Sequence, residues 1–521
     1  MKHRFTLFVL SFLLSVMSIA QSTTPVSGVV FLDTNRNGVR DVNEKGLSQV
    51  QVSNGRDIVT TSKEGKYTLP VNGDANIFVI KPRGYRFLMN EHNQYKFFFI
   101  HRPMGSPKMS FPTISPTKLP ASLDFGLIPN PTESNDLRIL LLGDPQVVSS
   151  TLKYFANDVV PELIGTKADF MVTLGDNVDE TLDQLEPIAD IIKEIGVPWR
   201  PAPGNNDLNF DTLGDKYSLE TYIKNYGPQY YSFNEGPAHF IVLDDVRWVR
   251  ESMAKNGYYD SALGEDQMAF LKNDLANVPK DRLIVFFMHI PINQIAEKER
   301  FFDLIKDRPH TLSVAGHYHT QSDVFLTEQQ GWKGAAPHHL HIQVAACGGR
   351  WDGINDEYGL PCARPSDGTP NGYSFLDING NNYKIKYFPS RKPADFQMSV
   401  WTPLEMTTQE SDAGFVYTNI FAGNEKTKVT MTLDNAIALT PVKTVEPDPQ
   451  MMQQQNWEKG INSELIKNVF MASNCQHLWK SALPKGLKPG YHRVTVKATD
   501  MYGFTFTGNH FFKIIEPEKT K

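Results

Sequence analysis

Between Leu137 and His319 the chain repeats one pattern: a short apolar run, a polar cluster, then a stretch with helical periodicity. The runs are "LRILLLGD", "FMVTLGD", "FIVLDD", "LIVFFMH" and "TLSVAGH". In "EDQMAFLKNDLANV", Met268, Leu271 and Leu275 share a helical face, and Ile188, Ile191 and Ile195 do so in "LEPIADIIKEIG". Strands alternating with helices predict α/β layers. In such sheets the carboxyl ends of the strands collect the groups that form a site. Five clusters stand at those ends: Asp144-Pro145-Gln146, Gly175-Asp176-Asn177-Val178-Asp179, Gly204-Asn205-Asn206-Asp207, His289, and Gly316-His317-Tyr318-His319.

Asp, Asn, Gln and His offer oxygen and imidazole donors, a set that suits a pair of divalent first-row ions (Mn, Fe or Zn) bridged by Asp176. Two such ions about 3.5–4 Å apart polarise a phosphoryl oxygen and generate hydroxide near neutral pH. One histidine alone is more often a satisfied or surface residue than a ligand. The ordered set is another matter. It resembles the calcineurin-like metallophosphoesterase superfamily, whose pattern is D-x-H, G-D-x-x-D/E, G-N-H-D/E, H and G-H-x-H, over about residues 137–390. The resemblance implies a four-layer α/β/β/α core and hydrolysis of phosphate monoesters or diesters by a dinuclear metal-bound hydroxide. Carried over by position, it implies one ion on Asp144, Gln146, Asp176 and His319. The other would take Asp176, Asn205, His289 and His317.

Two positions depart from that pattern. Gln146 stands where D-x-H has histidine; an amide oxygen still ligates, but it is neutral and harder. Asn206 stands where the superfamily has a substrate-facing histidine, with Asp207 beside it as the residue that would orient such a ring. Asparagine donates a hydrogen bond but delivers no proton at neutral pH. A general acid is worth about 10²–10⁴ in rate, roughly 3–5.5 kcal/mol of the about 8–23 kcal/mol that enzymes supply. The expectation is therefore an enzyme slowed by Asn206, not one abolished by it. The alternatives are a metal-containing binding protein whose catalysis has decayed, and a surface or carbohydrate-interaction protein carried by its β modules.

The flanks read as two small all-β, sandwich-like domains. Residues 21–128 hold short apolar runs such as "SGVVFLD", "KYTLPV" and "NIFVIKP" between turn residues. A Pro, Ser and Thr-rich stretch then ends in a linker at 129–136, before a central domain at 137–395 and a β-sandwich module at 396–521. "FLDINGNNYKIKYF" predicts a hairpin around Asn379-Gly380. The flanking segments resemble the N- and C-terminal modules of an exported three-domain bacterial branch of the superfamily.

Three further features carry weaker signals. "DTNRNGVRDVNE" matches a calcium loop, with Asp33, Asn35, Asn37, Val39 and Glu44 as candidate ligands; a strand precedes it, so it is no helix–loop–helix, and a polar turn without metal is the alternative. His338, His339 and His341 lie outside the ordered set and are expected near the site rather than as ligands. In "CGGRWDGINDEYGL", Arg350 is a candidate phosphate clamp, and Trp351 and Tyr358 are candidates to stack on a leaving group. A packed surface loop is the other reading.

The N-terminus reads as an address. Lys2 and Arg4, an apolar run from Phe5 to Ala20 and small residues at Ser18 and Ala20 predict a signal peptide, residues 1–20, cleaved before Gln21. The run is short for a membrane span, which needs about 20 residues. The expected destination is the periplasm or the exterior of a bacterium. Cys347 and Cys362 bracket one loop, either as a disulfide or, with Cys475, as small buried or loop residues. A net charge of −6 without a basic stripe leaves no nucleic-acid signature, so the expected partner is a small or polymeric phosphoester.

Overall fold

The apolar runs of the central region become the strands of two sheets in the computed structural model, which describes residues 24–461 and 471–517. The expected signal peptide lies outside the described residues. One sheet has five strands in the order Trp199–Ala202, Phe170–Leu174, Asp136–Leu142, Gly372–Asn379 and Asn382–Pro389. Its first three strands are parallel, and the last two form the hairpin around Gly380. The other sheet has six, ordered Tyr231–Glu235, Ala238–Val242, Ile284–Phe287, Thr311–Ala315, His338–Ile342 and Ser322–Leu326. Its four inner strands run parallel, and both edge strands are antiparallel.

Parallel sheets need cover on both faces, which is why most of the inner strands are rich in apolar residues. Leu137, Ile139 and Leu141 point one way and join Phe240, Val242, Val285 and Phe287 of the other sheet in one buried cluster. Leu140, Leu142 and Met171 point the other way, onto Phe155 of helix Leu152–Asp158 and Ile188 and Ile192 of helix Leu185–Ile192. Ile241, Ile284 and Phe286 pack on Met268 and Leu271 of helix Gly264–Leu275 and on Phe301 and Phe302 of helix Lys298–Ile305. In helix Leu185–Ile192 the buried residues are Leu185, Ile188, Ala189 and Ile192, with Ile191 left half-buried.

The N-terminal module is two four-stranded sheets. Its core is continuous with the central one: Ile77, Phe78 and Phe97 belong to the same buried cluster as Leu141 and Phe240. Lys81 bridges to Phe233 at the edge of the six-stranded sheet, and its buried ammonium sits 3.3 Å from Glu133 and 3.1 Å from Glu235. Glu133 comes from the expected linker, which is thereby docked. The C-terminal module packs a four-stranded and a five-stranded sheet around its own core. It also carries a helix, Pro449–Ile461, that no periodicity foretold. Among the described residues no helix is long and apolar enough to cross a membrane. Cys347, Cys362 and Cys475 are free thiols, so the disulfide reading does not hold.

Candidate metal centre

The polar clusters leave their strands through strained turns. Asp144 (φ 37°), Gln146 (42°), Asp176 (46°), His317 (74°) and His319 (53°) are all left-handed. Each non-glycine residue there costs roughly 1–2 kcal/mol, and such strain gathers where side chains must be aimed. The loops also approach closely. A Cβ on Gly204 would lie 2.1 Å from the Asp176 amide nitrogen, and one on Gly316 would lie 2.6 Å from Asp144 Oδ2.

His289 shows what the turns achieve. Its Nδ1 lies 2.8 Å from the Leu174 carbonyl, so that nitrogen carries hydrogen and donates. Its Nε2 then faces Asn205 Oδ1 at 2.9 Å, His317 Nδ1 at 3.1 Å and Asp176 Oδ1 at 3.3 Å. A nitrogen ringed by acceptors calls for a cation or a proton. His319 follows the same logic: Nδ1 lies 2.9 and 2.6 Å from the carbonyls of Gly348 and Gly349, and Nε2 points to Asp144 Oδ1 at 3.7 Å. Ligand atoms of Asp144, Asp176 and His319 lie within 4.8 Å of one another. Gln146 is held by its backbone, which donates to Asp176 O at 2.8 Å, while its amide nitrogen donates to Asp179 at 3.2 Å.

Charge follows geometry. Burial pushes the Asp144 carboxyl up to about 6. Burial works the same way on Asp176, but the neighbouring His289 outweighs it and holds that carboxyl below its ordinary value. For His289 burial opposes the charge, yet Asp176 lifts the imidazole to about 10. His317 is pushed down to about 3 by burial and by His289, and so stays neutral. Two buried carboxylates among nitrogen and amide-oxygen donors form a set that fits divalent first-row ions.

Several expected roles change. Asn206, 4% exposed, turns its side chain to Asp176: its Nδ2 donates to Asp176 Oδ2 at 2.7 Å and its backbone to Asp176 Oδ1 at 2.8 Å. Asp207 is fully buried and accepts from the backbones of Asn177, Val178 and Gly204, so it ties two loops together and orients nothing at position 206. Burial, then Asp176, raises it to about 7. Trp351, 5% exposed, is a core residue whose indole donates to the Pro145 carbonyl at 2.8 Å; it cannot stack on a leaving group. Arg350 reaches the rim, 3.4 Å from Asp179, and Tyr358 is exposed.

The Asp33–Glu44 loop closes on itself. Asp33 accepts from the backbones of Asn37 and Gly38, Glu44 accepts from those of Thr34 and Asp41, and the amides of Asn35 and Asn37 both donate to Asp41. The Val39 side chain is exposed. These bonds close the loop as a compact polar turn that gathers the carboxylates of Asp33, Asp41 and Glu44. His338 bonds Thr311 and Ser313, and His339 and His341 bond Asp323, so all three turn to partners other than the ligands of the centre.

Three neighbours escaped the sequence reading. Asp245 accepts the backbone N–H groups of His289 and Ile290, both at 3.2 Å, and no hydrogen bond reaches its buried Oδ2. Cys347 Sγ lies 3.6 Å from Gln146 Oε1 and 3.7 Å from His319 Nδ1. Tyr259, on a hairpin of Val246–Val249 and Tyr258–Ser261, sits 6.2 Å from His317, ring to ring. It lines a groove of about 600 Å³ with Glu180, Phe210, Trp248 and Arg250. Only the alternate burial of Val246 and Trp248 in "VRWV" has a counterpart in the sequence; "YYDS" shows no alternation.

Three family models match in succession: N terminal of calcineurin-like phosphoesterase over residues 20–114, calcineurin-like phosphoesterase over 137–321, and C terminal of calcineurin-like phosphoesterase over 340–506. No curated protein matches. Among solved structures, GAP50, described as the anchor in the inner membrane complex of Plasmodium, is 16% identical with a TM-score of 0.30, covering 49% of this chain and 85% of its own. Purple acid phosphatase PPD1 from yellow lupin (Lupinus luteus) seeds is 13% identical with a TM-score of 0.35, covering 66% of this chain and 69% of its own. With its N-terminal, central and C-terminal parts all matched in order, the chain belongs to the calcineurin-like phosphoesterase family of metal-dependent phosphoesterases.

Proposed function

We propose that this chain is an exported hydrolase of phosphate esters, monoesters or diesters, working with two divalent first-row ions. Asp144, Gln146, Asp176 and His319 would hold one ion, and Asp176, Asn205, His289 and His317 the other. One observation carries the reading: His289 Nε2, Asn205 Oδ1, His317 Nδ1 and Asp176 Oδ1 converge on one point, beside Asp144 and His319. Ions held there would supply Lewis-acid polarisation of a phosphoryl oxygen and would lower the pKa of water at the centre.

The chain's own residues do the holding. The carbonyls of Leu174, Gly348 and Gly349 fix His289 and His319 in tautomers whose other nitrogens face inward. Asp245 grips the backbone of His289, and Asn206 steadies Asp176. The groove under Tyr259 admits the alcohol part of the ester beside His317. Export rests on residues 1–20, and N-terminal sequencing of the exported protein should begin at Gln21.

Metal analysis alongside an ester panel tests the reading. The parent should hold about two ions at this centre and turn over an aryl phosphoester, and Asp176→Ala should lose both of these ions and turnover. Full metal occupancy in that variant would sink the dinuclear assignment. The inward turn of Asn206 favours a second reading, a metal-holding protein with little turnover. A metal-loaded parent inert towards every ester would select it.

A further inference from the structure

Asp323, His339 and His341 form a second cluster, on the antiparallel pair Ser322–Leu326 and His338–Ile342 at the edge of the six-stranded sheet. Asp323 stands across from His341, and His339 follows two residues away, so the three side chains share one face. Asp323 Oδ1 lies 3.0 Å from His339 Nε2 and 2.7 Å from His341 Nδ1. All three side chains are nearly buried, at 7%, 4% and 1% exposed.

The far side of each group is already held. His339 Nδ1 meets the Tyr383 hydroxyl at 2.9 Å, and Asp323 Oδ2 accepts from the Asn424 amide at 2.9 Å. His341 Nε2 meets Gln343 Oε1 at 3.2 Å. The Gln343 amide nitrogen donates to the Val344 carbonyl, which leaves its oxygen facing the imidazole. His341 Nε2 must therefore carry hydrogen. Its Nδ1 then meets a carboxylate oxygen at 2.7 Å, and two lone pairs do not sit so close without positive charge between them. Metal-ligating histidines are oriented in this way, through a bond to the other ring nitrogen. A cavity of about 10 Å³ opens against Asp323 and His341, lined also by Gln321, Asn424 and Asp500. That is about the room one water-sized ligand needs.

We propose that Asp323, His339 and His341 bind a single divalent cation of the zinc class, separate from the phosphoesterase centre, with one open position towards the cavity. Two imidazoles and a carboxylate on rigid strands suit zinc, which takes nitrogen and oxygen donors in four-coordinate sites. The position gives the ion a task. Its ligands belong to the central sheet, whereas Asn424 and Asp500 belong to the C-terminal module, so the ion clamps that module to the core.

Asp176→Ala disables the phosphoesterase centre, which lets the second site be counted alone and without any turnover assay. Full-length Asp176→Ala protein, stripped with chelator and re-equilibrated with zinc, should retain about one zinc per chain and melt at a higher temperature than in chelator. Adding His341→Gln should remove both the retained zinc and the thermal response. Asp323→Asn, which keeps the side-chain shape, should do the same and serves if the histidine variant does not fold. Zinc retention undiminished in either double variant would overturn the proposal. So would the absence of zinc and of a thermal response in the Asp176→Ala chain, leaving a protonated His341–Asp323 ion pair in its place.

Discussion

Asn206 marks where this chain parts from its family's pattern, and its amide is spent on Asp176 rather than on an ester. If ion-assisted hydrolysis persists while the proton donor is missing, rate depends steeply on the leaving group. An aryl phosphoester releases a phenolate that needs no proton and should be cleaved detectably, while an alkyl ester should lag far behind. Asn206→His should then raise kcat/KM chiefly for the alkyl ester, by about ten- to a thousand-fold. Equal cleavage of both esters by the parent would mean another acid serves. At this scale the candidate ligands were legible because each closes an apolar run, whereas the roles of Asn206, Asp207 and Trp351 were not. Whether a side chain meets substrate or core depends on neighbours far along the chain, such as Pro145 for Trp351.

At the scale of elements, the centre is a set of loop ends pressed together without slack. Gly204→Ala would drive a Cβ to 2.1 Å from the Asp176 amide nitrogen, so one of the two loops has to move. Asn205 Oδ1 would then leave His289 Nε2. The expected outcome is loss of metal with the far-UV circular dichroism unchanged; a variant that holds metal like the parent would show the contact to be soft. Strands and the central helices were readable from short apolar runs and helical patterns. The hairpin of Val246–Val249 and Tyr258–Ser261 was not, because it covers the site through a few residues only and buries one alternate face at its base.

Taken as a whole, the molecule is less modular than its composition shifts suggest. Arg102 of the N-terminal module is paired with Glu220 of the central region, both buried, at 2.7 Å. Arg102→Ala strands the Glu220 carboxylate and should cost about 3–5 kcal/mol; a thermal midpoint matching the parent's would contradict that. On the other side, His477 of the C-terminal module is fully buried, 3.1 Å from Asp367 Oδ2, 2.7 Å from Asn419 Oδ1 and 3.3 Å from Cys475 Sγ. Burial opposes its charge, but Cys475 and Asp367 outweigh burial and lift it to about 10. The unfolded value is about 6.5. A folded-state pKa above the unfolded one adds stability that is complete below about 6.5 and disappears as pH rises through about 10. The thermal midpoint should therefore fall between about pH 7 and 10, and His477→Gln should flatten that slope. An unchanged slope in the variant would remove His477 as the cause.

The linear chain by itself carried the family pattern, the α/β class of the centre, the β character of both flanks and the positions of the candidate ligands. All of these are local: an apolar run, a period, a polar cluster at its end. The tertiary structure alone decided that the N-terminal module shares the central core and that Glu133 pins the linker. It also set Asn206 against Asp176, and placed Asp323, His339 and His341 together beneath the C-terminal module. The reason is distance along the chain. His289 takes its tautomer from a carbonyl 115 residues away, and no periodicity records which buried face meets which.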